Sequence, residues 1–141
     1  MADTPDPQNP AVDETADAEL IELAGRIFDS ARSGDQAALA AFLDAGTPVN
    51  LSNDRGDTLL MLAAYHGHAQ AVRLLLQRGA DPDRANDRGQ TPLAGAVFKG
   101  ADEVLTALLD GGADPKAGQP SALLTAQMFG KDDLLARFAE R

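Results

Sequence analysis

Apolar residues recur along this chain at three- and four-residue intervals, interrupted by single glycines at regular distances. Leu20, Leu23, Ile27 and Ala31 form one stripe, Gly34 breaks it, and Leu39, Phe42 and Leu43 begin another. Such spacing places the apolar side chains on one helix face and predicts a helix pair. The pattern then repeats. A short apolar run ends near His66, Gly67 follows, and Val72, Leu75 and Leu76 mark the next helix up to Gly79. Leu93 and Ala96 precede Gly100, and Leu105, Leu108 and Leu109 precede Gly112. Each glycine suits a helix end that needs positive φ.

Residues 53–85 and 86–118 align without a gap and share 14 residues. The shared positions alternate turn formers (Asn53/Asn86, Asp54/Asp87, Arg55/Arg88, Gly56/Gly89) with a helix cap (Thr58/Thr91) and apolar anchors (Leu60/Leu93, Ala63/Ala96, Leu75/Leu108). A fixed period of this length indicates an array whose units bury their apolar stripes only by stacking. Shifting the window back by 33 superposes Ile27 on Leu60 and Gly34 on Gly67, which defines a first, degenerate unit over 20–52. After Pro115 the offset becomes 30, with Ser121 on Thr91 and Gly130 on Gly100, which defines a shortened fourth unit over 119–141.

Read as N-D-R-G-x-T-x-L-x-x-A-x-x-x-G followed by L-L-x-x-G-A-D-P, the chain resembles the ankyrin repeat, whose period is also 33. The resemblance implies an all-α solenoid of stacked antiparallel helix pairs with hairpin-like turns. It would have about four units, with 20–52 and 119–141 as caps and 53–85 and 86–118 as complete repeats. The family's Thr-Pro-Leu-His motif is incomplete here: Thr58-Leu59-Leu60-Met61 and Thr91-Pro92-Leu93-Ala94 both lack the histidine. That loss predicts a weakened hydrogen-bond ladder between the turns. Gly95, inside the predicted helix, costs about 1 kcal/mol relative to alanine.

Composition narrows the functions open to such a scaffold. The net charge is -10, and Asp3, Asp6, Asp13, Glu14, Asp17 and Glu19 supply six of the negative charges. That balance opposes phosphate backbones and anionic lipid surfaces, so neither nucleic acid nor membrane is expected as a partner. Residues 1–18, rich in acids and proline, read as a disordered acidic tail ahead of a repeat domain over 19–141. The chain has no cysteine and no long apolar run, which is consistent with a cytoplasmic protein, monomeric when unbound.

Candidate chemistry is sparse. His66 and His68 flank Gly67 and are the two histidines of the chain, so a metal-dependent hydrolase built on them is the weakest alternative considered. Ser30, Ser33, Ser52 and Ser121 lack the setting of an activated nucleophile. No cofactor and no enzymatic activity are expected. What remains is surface. Proteins of the ankyrin family meet partners through the turn tips and the exposed face of the first helices, just before the inter-helix glycine. By register, that face carries Arg32, Tyr65, Phe98 and Met128 in one column and Ser33, His66, Lys99 and Phe129 in the next. The tips carry Asp54, Arg55, Asp57, Asp87, Arg88 and Gln90. The resemblance therefore implies a protein-protein interaction module, or more narrowly a small regulatory inhibitor or protective partner of a specific enzyme. An alternative for Tyr65 and Phe98 is that the rings cover the groove between helix layers.

Overall fold

A computed structural model describes residues 14–140. Over these residues the chain forms eight helices and no strand: α1 Glu14–Ser33, α2 Gln36–Asp44, α3 Leu59–Tyr65, α4 Ala69–Gln77, α5 Pro92–Lys99, α6 Asp102–Asp110, α7 Ala122–Met128 and α8 Asp132–Ala139. They pair in sequence order. α1, α3, α5 and α7 stack as one layer, and α2, α4 and α6 pack as a second. The all-α solenoid that the resemblance implied is the fold observed.

Local chemistry sets each boundary. Thr58, Thr91 and Ser121 cap α3, α5 and α7, their hydroxyls accepting the Met61, Ala94 and Leu124 amides at 3.1, 3.2 and 3.1 Å. Asp35 caps α2 in the same way. Between paired helices, an amide reaches back five residues across the glycine: Asp35 to Ser30, His68 to Ala63, Ala101 to Ala96 and Lys131 to Ala126, at 2.9–3.0 Å. These bonds close the helix ends over glycines at φ 64–80°. Their spacing of 33, 33 and 30 residues reproduces the register read from the sequence, including the three-residue deletion.

One apolar core runs the length of the stack. Ala63, Ala64, Ala96 and Ala126 let the first-layer helices approach, while Leu75 and Leu108 are wholly buried between layers. Among the described residues, no buried side-chain polar atom lacks a hydrogen-bond partner. The exposed ion pairs Arg78 to Asp44 (2.8 Å) and Arg73 to Asp110 (3.3 Å) link successive units, each adding at most about 1 kcal/mol.

One expectation needs correction. The first helix begins at Glu14, not Glu19, so the span assigned to the tail is helical from residue 14; residues 1–13 lie outside the described residues. Alanine at 18 favours helix, and the acid Asp17 near the N-terminus complements its dipole. Because α1 is much longer than α3, its early turns overhang the neighbouring helix. Leu20 is therefore exposed, although its stripe partners Ile27 and Ala31 are buried.

A ladder of turns forms without the family's histidines. Asn53 Oδ1 accepts the amides of Arg55 and Asp57, and Asn86 Oδ1 those of Arg88 and Gln90, all at 3.0 Å. Neighbouring turns are then joined by the Asp87 amide donating to the Arg55 carbonyl (3.0 Å) and the Gln119 amide to that of Gly89 (2.8 Å). The Asn86 side-chain amide adds a bond to Asp57 Oδ1 at 2.9 Å. Asparagine side chains thus order each turn, while backbone amides and Asn86 join neighbouring turns.

Candidate binding groove on the first-helix face

Residues at the ends of α1, α3, α5 and α7 share one face because the helix pairs superpose at a constant register. All but Ser33 of the residues placed on this face and at the turn tips from the sequence line one of two adjoining cavities. The first, about 500 Å³, is polar and lies toward the turns; Arg32, His66 and the tip residues Asp54, Arg55, Asp57, Asp87 and Arg88 border it. The second, about 350 Å³, is apolar and is bordered by Phe98, Lys99, Met128 and Phe129. Tyr65, Gln90 and Met61 line both.

The apolar cavity is built from exposed side chains. Tyr65, Phe98, Met128 and Phe129 are 53, 71, 69 and 50% exposed. They are nonetheless organised. Phe98 and Phe129 meet edge to face at 5.7 Å, and Tyr65 packs edge-on against His66 at 5.3 Å. Lys99 places its Nζ 4.1 Å from the Tyr65 ring centroid, a cation held over a π face. Arg32 is engaged by Asp29 at 2.7 Å.

The two histidines differ in role. His68 directs Nε2 at the Arg32 carbonyl oxygen, 2.7 Å away, and thereby joins the second unit to the first. Its ring lies against Gly34, where a Cβ would come within 2.5 Å of it. His66 faces the groove. Burial, followed by the neighbouring His68, Arg32 and Lys99, holds its pKa below the usual imidazole value, which favours the neutral ring. Among the described residues, no three potential metal ligands come together.

Sequence reasoning missed Met61 and Gly95 as groove residues. Met61 is largely buried beneath Tyr65's helix face and carries no surface signature. Gly95 was visible only as a weak point of the helix. Its position four residues before Lys99, on the same helical face, was the available signal.

An ankyrin repeat model of three copies matches residues 27–119. The chain belongs to the ankyrin repeat family. The match ends before α7, so the fourth helix pair is visible in the structure and not in the family match. The Pseudomonas aeruginosa ankyrin repeat protein PA3287 is 47% identical over 73 residues, covering 52% of this chain. The aligned part is 39% of that protein's length, so the match spans about two fifths of the relative. No helix among the described residues is long and apolar enough to cross a membrane.

Proposed function

We propose that this protein is a non-enzymatic binding module that captures a protein partner on its first-helix face and turn tips. Ankyrin repeats are generally protein-protein interaction modules, which supports the class. The observation that carries the reading here is the cluster of Tyr65, Phe98, Met128 and Phe129, large apolar side chains left half or more exposed around one groove. A chain with one tyrosine and five phenylalanines places three of them there. Aromatic anchors in such clusters commonly carry 2 kcal/mol or more of binding energy each.

The chain acts as a monomer in the cytoplasm in this reading, with neither nucleic acid nor membrane as its target; the acidic balance and the absence of cysteine motivate those parts. The test is a Tyr65→Ser/Phe98→Ser double variant offered to the partner captured from the native host. The loss of two anchors should weaken capture by roughly a thousandfold while the helical circular dichroism signal is kept. Full capture by the folded variant would refute the reading. Assaying the captured partner's own activity with and without this protein distinguishes inhibition from protection.

A further inference from the structure

Gly95 lies inside α5, where glycine is unfavourable by about 1 kcal/mol, yet a Cβ built there would meet nothing within 4 Å. Internal packing therefore does not require glycine at this position. Its φ is not in the left-handed region either, unlike that of the glycines that end the helices. What the missing side chain does leave is depth in the 350 Å³ groove that Gly95 lines with Met61, Tyr65, Phe98, Met128 and Phe129. The groove is large enough for one leucine or phenylalanine side chain.

Charge is distributed unevenly around it. α3, α5 and α7 contain no carboxylate, and Lys99 is their single charged residue. The second-layer helices carry Asp44, Asp102, Glu103, Asp110, Asp132 and Asp133 against Arg73 and Arg137. The cationic end of the groove thus stands out on a chain of net charge -10. The opposite end is mixed, with Asp54, Asp57 and Asp87 beside Arg55, Arg88 and Arg32, the last paired with Asp29. Acids of a ligand are therefore drawn to the Lys99 end.

Resting on the binding reading above, we infer that the partner presents an acidic peptide segment whose apolar anchor fills the dent at Gly95 while a neighbouring carboxylate meets Lys99. The lone tyrosine of a tryptophan-free chain sits in this groove, so its emission reports occupancy directly. The probes are three capped octapeptides. One has a central Leu-Phe pair flanked on each side by a serine and two aspartates, the second has lysines for the aspartates, and the third has Ser-Ser for Leu-Phe.

Titrated into the full chain, the acidic Leu-Phe peptide should bind about tenfold tighter than its lysine form, and the Ser-Ser form should leave Tyr65 emission unchanged. Lys99→Gln should erase the preference for acid. Gly95→Leu should weaken the acidic peptide about tenfold or more while its melting temperature is kept or raised, because leucine is the better helix former. Gly95→Ala should also melt no lower than the parent, with a smaller loss of binding. Equal or tighter binding of the lysine peptide, undiminished binding by Gly95→Leu, or no saturation by the acidic peptide at millimolar concentration would each overturn the inference. So would binding seen only after removal of residues 1–13, which would make the chain's own acidic segment the occupant. If native-partner capture still depends on Tyr65 and Phe98, such failures leave the general binding reading intact; if capture is indifferent to both rings, that reading falls as well.

Discussion

Gly34 and Gly67 occupy the same place in successive units, and alanine at each should separate two costs that glycine normally conceals. Both have positive φ, 71° and 80°, where an L side chain is strained. At Gly67 a Cβ would meet nothing within 4 Å, so Gly67→Ala carries the backbone cost alone. That cost is about 1–2 kcal/mol, partly offset by about 0.4–1 kcal/mol from a less flexible unfolded chain. A net loss of about 1 kcal/mol follows. At Gly34 the new methyl would lie 2.5 Å from His68 Cγ and 2.6 Å from Nδ1, so the ring must move and its bond to the Arg32 carbonyl is strained or lost. An unmade hydrogen bond adds about 0.5–1.5 kcal/mol and disturbed packing adds to it, giving roughly 2–3 kcal/mol in all. Urea melts of both variants followed by circular dichroism measure the difference. In a His68→Ala background the added cost of Gly34→Ala should fall toward that of Gly67→Ala, because the obstructing ring is gone. Equal destabilisation by the two glycine substitutions, or additivity of Gly34→Ala with His68→Ala, would refute the claim that His68 is seated in the space left by Gly34.

Leu75→Ala and Leu108→Ala, at side chains wholly excluded from solvent, should each cost roughly 2–5 kcal/mol in denaturant melts. Values within error of the parent would contradict the stacking register. Asp83 Oδ1 accepts the Asp114 amide at 2.7 Å, the role that Asn50 plays toward Asp81 at 2.9 Å one unit earlier. Burial first, then the carboxylates of Asp114 and Asp81, push the Asp83 pKa above its ordinary value, against the pull of the Asp114 amide. A raised carboxyl pKa means that folding disfavours the charged form: the penalty is present above the folded-state pKa and vanishes as pH falls below the ordinary value of 3.8. Asp83→Asn should therefore match or slightly exceed the parent's stability at pH 7, with the difference shrinking toward pH 3.5. A substantial loss at pH 7 in thermal melts would show that the charge itself is needed.

The helix pairs were legible because their signals are local and repeated. Threonine caps, helix-ending glycines and leucine stripes recur at one spacing, and even the three-residue deletion before Ser121 reappears in the bond from Lys131 to Ala126. The candidate groove followed from register, since Tyr65, Phe98 and Met128 hold equivalent positions on neighbouring helices. The start of α1 was less visible, because a helix extending past its neighbours need not bury an apolar stripe and so leaves little periodicity to read. The side-chain bond between successive turns had no local signal either. Asn86 acts through one side chain on its own loop and on Asp57 of the preceding turn, a pairing across 29 residues that no local pattern contains. Gly95 was seen as a cost because sequence reports the missing side chain but not the open space beside it.

Recognition on the first-helix face is the central claim, and the methionines give it a direct test. Of the three in the chain, Met61 and Met128 line the apolar groove. In a spectrum of protein labelled with ¹³C at the methionine methyls, saturation with the captured partner should shift or broaden both resonances. Unmoved Met61 and Met128 signals in a saturated complex would contradict the account and place recognition elsewhere on the molecule.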